Sequence, residues 1–329
     1  MRLLVLLASL LLVLVASALL VLSFGPAPFA SAQTRLQVVS TVAPITNIVR
    51  NVGGERIDLE GLVPPGVDSH TFEPSPSDAR KLAVADLIIV NGLALEGTTI
   101  ELAEANLKSG ARILELGPGT ITRDEWVFDF SFPEEYGDPN PHVWMNPLHA
   151  ARYAELVRDA LSEMDPANAD VYAANTELFR ARVDELDRAI IATVATIPEE
   201  NRKLLTYHDS FAYFAPRYGF KVIGAIQPSD FAEPSPREVA ALIDQIRYEN
   251  VPAIFGSEVF PSPVLEQIGR ETGVRYYDTL RDDDPPGEPG SPENTYFGML
   301  QYDVQLMARA LGGDPSPLDW FDPSNTYRP

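Results

Sequence analysis

The chain has 329 residues and a net charge of −22, from 47 acidic and 25 basic side chains. This charge argues against nucleic acid and anionic membrane surfaces as partners, because both are bound through Lys and Arg. The sequence contains no cysteine, which excludes disulfides, a thiolate zinc site and a lipid attached through an N-terminal cysteine. A chain of this length can bury one or two hydrophobic cores.

The first 32 residues are typical of an exported protein. Arg2 precedes an apolar run over residues 3–24, and residues 30–32 (Ala-Ser-Ala) resemble a signal-peptidase site. We interpret residues 1–32 as a signal peptide and expect the mature chain outside the cytoplasm, in the periplasm or at the cell surface. The apolar run is also long enough to cross a bilayer, which takes about 20 residues. An uncleaved anchor is therefore the alternative.

After this segment, short apolar runs alternate with helical patterns. The predicted strands of the first half are residues 36–40, 57–63, 87–91 and 112–116. The predicted helices are residues 44–52, 77–83, 95–107 and 148–163. Strands and helices in this alternation predict a parallel sheet covered by helices.

The same alternation returns in the second half. Its predicted strands are residues 203–207, 222–226, 253–257 and 274–277. Its predicted helices are residues 210–218, 236–248, 264–272 and 296–311. The predicted fold class is therefore α/β, with two Rossmann-like lobes of parallel sheet flanked by helices.

One long helix is predicted between the two halves. Asp165 and Pro166 are an N-cap acid followed by a proline at the first helical position. Apolar residues then recur at three- and four-residue steps up to Ile197, with one extra residue inserted after Leu178, and Pro198 ends the pattern. This pattern predicts a single helix that joins the two lobes.

The long helix divides the chain into three expected parts after the signal peptide. These are an N-terminal lobe over residues 33–164, a linking helix over residues 165–198 and a C-terminal lobe over residues 199–329. Between residues 167 and 197 the helix contains no glycine and no proline that would act as a hinge. We expect the two lobes to move little relative to each other.

Three of the four histidines, His70, His142 and His208, stand in segments rich in Pro, Gly and Asp. Histidine is the commonest metal ligand, and ligands of open α/β sheets bind beyond the carboxyl ends of the strands. His70 and His208 follow predicted strands, and Asp278 directly follows the strand predicted at residues 274–277. Each lobe thus offers two candidate ligands for one ion. Three imidazoles and a carboxylate suit tetrahedral Zn²⁺, and Mn²⁺ or Fe²⁺ less well.

Neighbouring polar residues have structural interpretations. His149 falls in the first turn of a predicted helix, and we assign it to the surface of that helix. The acidic run at residues 282–284 is interpreted as a solvated loop. Trp144, beside His142, is expected both to shield the site and to fill the core.

Four segments, in order along the chain, resemble motifs of the zinc and manganese solute-binding proteins of bacterial ABC transporters. Residues 64–78 resemble the first-histidine motif and residues 138–147 the second. Residues 208–214 resemble the third, and residues 277–280 resemble the carboxylate motif. The resemblance covers nearly all of the mature chain, and the long helix falls between the second and third motifs as in that family.

The resemblance implies four metal ligands, His70, His142, His208 and Asp278, around an ion held between two lobes that a rigid helix joins. Histidine at position 208 favours zinc, because members devoted to manganese commonly have glutamate there. Asn146 departs from the aspartate usual in the second motif. The loop before His142 also lacks the histidine-rich segment of many zinc-specific members. Manganese, or mixed zinc and manganese binding, is the alternative, since some members with three histidines and an aspartate accept it.

We therefore expect extracytoplasmic capture of a divalent metal ion, zinc first, and its delivery to the membrane permease of an ABC importer. The chain is expected to be a monomer and not an enzyme, and an additional adhesive role, credited to some relatives, stays open. A secreted zinc hydrolase is a rival, but it needs an open metal position and a general base, for which Glu73 and Glu258 are the candidates. A binding protein for an organic solute would show a flexible hinge and a cleft with aromatic and arginine contacts.

Overall fold

Two parallel four-stranded sheets form the framework of the computed structural model, which describes residues 35–227, 234–259 and 263–328. Within these residues the chain forms eight strands and nine α-helices. The expected signal peptide, residues 1–32, lies outside the described residues. Among the helices that the structure describes, none is long and apolar enough to cross a membrane.

The N-terminal lobe is built on the first sheet, whose strand order is β2-β1-β3-β4 with all neighbours parallel. Its strands are β1 (Leu36–Ser40), β2 (Ile57–Gly61), β3 (Leu87–Val90) and β4 (Arg112–Glu115). Its helices are α1 (Ala43–Gly53), α2 (Pro76–Val84), α3 (Gly97–Asn106) and α4 (Pro147–Met164). All four residues of β3 are buried, as a strand covered on both faces of a parallel sheet requires.

The C-terminal lobe repeats this arrangement with the strand order β6-β5-β7-β8, again parallel. Its strands are β5 (Lys203–Thr206), β6 (Lys221–Ala225), β7 (Ala253–Ser257) and β8 (Arg275–Leu280). The long helix that precedes it is α5 (Ala169–Val194), and the helices of the lobe are α6 (Ala215–Tyr218), α7 (Pro236–Glu249), α8 (Pro263–Thr272) and α9 (Tyr296–Ala310). The predicted fold class is confirmed.

The common strand order sets where each lobe can form a site. In both sheets the first strand lies between the second and the third. The second and third strands therefore lie on opposite sides of the first strand. Such a topological switch point opens a crevice at the carboxyl ends of the strands. The loops that follow the strands at this end are therefore the ones placed to supply ligands.

The long helix α5 has 26 residues and is about 39 Å long at 1.5 Å per residue. It begins later than predicted, because Pro166–Asn168 form a separate 3₁₀ turn. The carboxylate of Asp165 supports this turn and accepts hydrogen bonds from Asn168 Nδ2 at 2.6 Å and from the Tyr172 hydroxyl at 2.7 Å. The helix ends at Val194, a few residues before Pro198.

Helix α5 is part of the core and not an exposed spacer. Its fully buried side chains include Phe179, Leu186 and Ile190, and these belong to one continuous cluster with Val38 of the first sheet and Phe255 of the second. Because the same apolar cluster includes both sheets and the helix, a change in the angle between the lobes would disrupt buried contacts.

A buried carboxylate also fastens α5 to the C-terminal lobe. Asp187 accepts hydrogen bonds from Arg217 Nε at 2.7 Å, from Arg217 Nη2 at 2.6 Å and from the Tyr218 hydroxyl at 2.7 Å. A two-pronged arginine–carboxylate pair is geometrically specific. It therefore holds helix α6 in a defined position against α5.

Two elements differ from the prediction near the carboxyl ends of the second sheet. The helix predicted at residues 210–218 is reduced to Ala215–Tyr218, because residues 212–214 form a turn. Strand β8 ends at Leu280 and not at residue 277, and its pairing with β7 shifts register between Phe255 and Ser257. Because β8 is longer than predicted, the loop at its carboxyl end begins after Leu280 and not after residue 277.

The packing of α5 predicts a large difference between its two faces. Phe179→Ala removes a fully buried ring and should lower the free energy of unfolding by about 3–5 kcal/mol. Asp184→Ala, on the exposed face of the same helix, should change it by less than about 0.5 kcal/mol. Urea denaturation followed by circular dichroism measures both, and equal effects of the two changes would contradict the buried position of Phe179.

Candidate metal centre

His70 is carried by a loop whose start is a tight turn after β2. The Val67 N–H donates to the Pro64 carbonyl at 3.3 Å, with Pro65 and Gly66 at the corner of the turn. Gly66 has a φ of 75°, and a proline followed by a residue of positive φ is the signature of a type II turn. The Pro-Pro-Gly sequence therefore redirects the chain from the sheet toward the other lobe and places His70 at the carboxyl end of the sheet.

His142 is fully buried and is oriented by Asn140. The Asn140 amide nitrogen donates to Asp129 Oδ2 at 2.9 Å and to the Asp209 carbonyl at 2.6 Å. The amide oxygen of Asn140 therefore faces His142 Nδ1, at 2.8 Å. Because an oxygen accepts, Nδ1 of His142 carries the hydrogen and Nε2 keeps its lone pair.

His208 follows the end of β5 and is oriented in the same way. Its Nδ1 lies 2.6 Å from Gln227 Oε1, so Nδ1 donates and Nε2 is left with a lone pair. The Thr206 hydroxyl donates to the His208 carbonyl at 2.6 Å and fixes the backbone at the end of the strand. A strand end and one amide side chain thus determine where His208 points.

The three histidines meet at one point. The Nε2–Nε2 distances are 3.1 Å between His70 and His142, 3.1 Å between His70 and His208, and 2.9 Å between His142 and His208. The corners of such a triangle lie about 1.8 Å from its centre, so an ion bonded at ~2.0–2.1 Å to each nitrogen fits just above it. Three imidazoles facing one another in this way have the geometry of a metal site.

A carboxylate, that of Asp282, stands beside this triangle. Asp282 Oδ2 lies 3.5 Å from His208 Nε2 and 3.8 Å from His142 Nε2. This oxygen is buried, and no residue within the described part of the chain donates a hydrogen bond to it. A buried carboxylate oxygen without a donor is costly unless a cation is bound to it. The arrangement therefore suits three nitrogen ligands and one oxygen ligand.

Asp278, the carboxylate expected at this position, lies elsewhere. It belongs to strand β8 and is exposed to solvent. Because the strand continues to Leu280, its carboxyl end presents Asp282 to the site and leaves Asp278 outside it. The acidic run is also not a solvated loop, since Asp282 and Asp283 are only 2% and 4% exposed.

Burial controls the charge of the site. Burial, and next the charge of His208, lower the pKa of His70 well below its ordinary value, and burial with the charges of His208 and His70 does the same for His142. Both imidazoles are therefore neutral at neutral pH, which is the form that binds metal. Burial, and next the charge of Glu258, raise the pKa of Asp282. A bound cation would favour its ionised form.

Two aromatic side chains enclose the histidines. Trp144 is fully buried, its ring centroid lies 5.1 Å from that of His142, and its Nε1 donates to the Asp282 carbonyl at 3.2 Å. Phe132 packs on His70 and His142 with centroid distances of 5.6 Å and 5.8 Å. The site is thus shielded from water on the side that these rings cover.

The fourth histidine, His149, is separate from this group. It is half-buried in the first turn of α4, where its ring centroid lies 5.8 Å from that of Tyr213. Asn146, the residue that departs from the family motif, caps the same helix by accepting a hydrogen bond from the Leu148 N–H at 3.1 Å. Both residues therefore have structural roles at the start of α4.

The residues that orient His142 and His208 were not identified from the sequence. Asn140 and Gln227 carry no motif that assigns them to a histidine. Glu258, nominated as a general base, instead accepts hydrogen bonds at Oε1 from the backbone N–H groups of residues 282–284, at 3.1, 3.1 and 2.9 Å. Glu73, the other nominee, is exposed. The one usable signal was the apolar Leu280, which allows the strand to extend past Asp278.

The fold and the histidine group define a two-lobed metal-binding protein. A family model described as zinc-uptake complex component A, periplasmic (ZnuA), matches residues 38–310. The chain belongs to this family of periplasmic metal-binding proteins, whose relatives include substrate-binding proteins of metal ABC transporters. The resemblance seen in the sequence motifs is confirmed.

Several relatives cover most of the chain. It is 31% identical over 278 residues to the iron-binding protein YfeA of Yersinia pestis, which covers 84% of this chain and 87% of that protein. It is 30% identical over 289 residues to the manganese-binding lipoprotein MntA of Bacillus subtilis (strain 168), with coverages of 85% and 91%.

Solved structures agree with these relatives. The periplasmic zinc-binding protein TroA from Treponema pallidum matches with a TM-score of 0.77 at 28% identity, over 84% of this chain and 99% of that chain. The manganese-bound periplasmic metal-binding protein from Candidatus Liberibacter asiaticus matches with a TM-score of 0.71 at 27% identity, over 84% and 100%. The names of these proteins include iron, manganese and zinc, so the choice of metal rests on the site itself.

The position of Asp282 predicts which carboxylate matters for metal affinity. Asp282→Asn should weaken binding of a divalent metal ion by at least about tenfold, because it removes the negative charge beside the histidines, a loss of roughly 1.4 kcal/mol or more. Asp278→Asn and His149→Ala should leave the affinity within about threefold of wild type. Competition against a chromogenic chelator measures all three, and a larger loss in Asp278→Asn than in Asp282→Asn would contradict this assignment.

Proposed function

We propose that this chain captures a zinc ion outside the cytoplasm through His70, His142, His208 and Asp282, and delivers it to the membrane permease of an ABC importer. The observation that carries the proposal is the convergence of three Nε2 atoms within 2.9–3.1 Å of one another. The Nε2 lone pairs of His142 and His208 face the same point as His70 Nε2, and a bound cation would satisfy all three nitrogens. The family of substrate-binding proteins supplies the context of transport.

The donor set favours zinc over manganese. Neutral imidazole suits zinc, and one carboxylate completes the four-coordinate tetrahedral shell that zinc prefers, whereas manganese favours six oxygen-rich ligands. Manganese remains the alternative that the relatives support, because MntA is named a manganese-binding lipoprotein. Substitution of His208 by glutamate, which adds an oxygen donor, would move the site toward that alternative.

The site is built for binding and not for catalysis. Four protein ligands leave no open position for a reactive water, which a hydrolytic zinc centre requires. The Oε1 atom of Glu258 is engaged with three backbone amides and is not available as a general base. The comparisons give no support to a zinc hydrolase, and we do not propose one.

The acting unit in this proposal is a monomer, because one chain supplies all four ligands. A net charge of −22 suits a cation as the cargo and disfavours nucleic acid as a partner. We further propose export through residues 1–32. The relative MntA is named a lipoprotein, whereas this chain has no cysteine to which a lipid could be attached.

The proposed metal is tested by competitive titration of metal-stripped protein. We expect one zinc ion per chain and zinc affinity at least about a hundredfold higher than manganese affinity, as nitrogen donors dictate. In His208→Glu the ratio of the two affinities should shift toward manganese, whereas in the matched control His149→Glu it should stay unchanged. Tighter binding of manganese than of zinc by the wild type would contradict the proposal.

The transport role is tested in cells of the source organism. A strain that lacks this chain should take up less radioactive zinc at low external zinc, and wild-type protein should restore the uptake. His70→Ala and His142→Ala should not restore it, because each removes a ligand, although His149→Ala should. Unchanged zinc uptake in the deletion strain would mean that this chain serves another metal or another process.

A further inference from the structure

The turn that presents Asp282 is held by its own lobe through four consecutive backbone amides. The Arg281 N–H donates to Asp303 Oδ1 of α9 at 2.9 Å. The N–H groups of Asp282, Asp283 and Asp284 all donate to Glu258 Oε1, at 3.1, 3.1 and 2.9 Å. Asp303 is fully buried, and Glu258 follows strand β7. Two carboxylates thus fix the backbone of this turn to the C-terminal lobe.

The three aspartate side chains of this turn meet either the metal site or the N-terminal lobe. Asp282 faces the histidines. Asp283 Oδ1 accepts a hydrogen bond from the Ser69 hydroxyl at 2.9 Å, and its Oδ2 accepts one from the Ser69 N–H at 3.2 Å. Asp284 Oδ2 accepts a short hydrogen bond from the Gly66 N–H. The turn therefore binds the His70 loop of the N-terminal lobe at two successive residues.

Ser69 and Asp283 are the immediate chain neighbours of His70 and Asp282. They are 3% and 4% exposed, so water competes weakly for their hydrogen bonds. The hydrogen bonds between Ser69 and Asp283 thus join the two lobes at the residues next to His70 and Asp282. The ion can leave only when the ligands of one lobe withdraw, and that withdrawal requires the Ser69–Asp283 contact to break.

We propose that Ser69 and Asp283 are positioning residues that hold the His70 loop against the Asp282 turn and thereby set the rate at which the metal ion is released. This inference rests on the metal-binding function proposed above. The Ser69 hydroxyl is not among the atoms that converge on the metal site, so its effect must be transmitted through the two loops. Loss of a hydrogen bond to a buried charged group changes an equilibrium constant by about ten- to a hundredfold, and we expect this change in the dissociation rate constant of the ion.

The inference separates release from capture. The two Ser69–Asp283 hydrogen bonds hold the ligand-bearing loops in the arrangement that a bound ion needs, so their loss acts chiefly on how long the ion stays bound. Loss of these bonds should then raise the dissociation rate constant and leave the association rate constant nearly unchanged. This is also the usual division of effects among variants of one binding site.

The test is Ser69→Ala in the full chain loaded with zinc. Stopped-flow transfer of zinc to an excess of chelator gives the dissociation rate constant, which should rise by about ten- to a hundredfold. The association rate constant should stay within about threefold. Asp283→Asn also disturbs the bond from the Ser69 N–H, which Ser69→Ala keeps, so the double variant should release zinc faster than Ser69→Ala but by less than the product of the two single effects.

The control separates this effect from general loosening of the fold. Thr193→Ala removes another buried hydroxyl, which donates to the Ala189 carbonyl within α5 at 2.8 Å, and should leave the release rate unchanged. The visible absorption spectrum of the Co²⁺-loaded protein should be the same in wild type and Ser69→Ala, because the ligands are retained.

Three results would overturn the inference. They are zinc release from Ser69→Ala at the wild-type rate, equal acceleration in Ser69→Ala and Thr193→Ala, and a Co²⁺ spectrum in Ser69→Ala that reports a different ligand set. None of these is the result that overturns the proposed function, which is a wild-type chain that fails to bind zinc.

Discussion

Three imidazole nitrogens held within 2.9–3.1 Å of one another impose the constraint on which the rest of this structure depends. Two of them, those of His142 and His208, have their hydrogen on the opposite ring nitrogen, so lone pairs face each other across the gap. A proton could separate them, but burial lowers the pKa of His70 and His142. A divalent cation would satisfy all three nitrogens at once. Asn140 and Gln227 hold the rings of His142 and His208 in the orientation that such an ion needs.

The two sheets make this arrangement possible because they share one strand order. Each has its switch point at the carboxyl ends of its strands, and each contributes loops there. Helix α5 and the continuous apolar cluster hold the two sheets together, so large changes in the lobe angle would disrupt the core. The loops that carry the ligands are consequently the parts that can move at low cost. Capture and release are then local events within a stiff framework.

Periodic features of the sequence were enough to predict most of the fold. The apolar run of β3 and the apolar repeat of α5 are local patterns in the sequence. Both predict an element that the structure contains. The three histidines were also found from sequence, because their loops carry Pro, Gly and Asp signals. The Pro-Pro-Gly turn before His70 shows why, since its geometry follows from residue type alone.

The carboxylate that stands beside the histidines, that of Asp282, could not be found in this way. Whether β8 ends at residue 277 or at Leu280 depends on its pairing with β7 and on the register shift between them, which is a tertiary property. The burial of Asp282 and Asp283 likewise depends on partners that are distant in sequence, namely Glu258 and Ser69. A run of three aspartates is usually solvated. Here the Ser69 hydroxyl and the N–H groups of Gly66 and Ser69 donate hydrogen bonds to Asp283 and Asp284 in place of water.

The same acidic turn explains how charge and selectivity are divided in the site. Carboxyl groups of Asp282, Asp283, Glu258 and Asp303 are buried near the three imidazoles, and burial raises the pKa of each of these four groups. Their ionisation becomes favourable when a cation enters, so binding is coupled to proton release and any small cation gains from it. The carboxylates therefore select for charge alone. In the proposed site, selection among divalent metals would then fall to the nitrogen donors, of which His142 and His208 are oriented by Asn140 and Gln227.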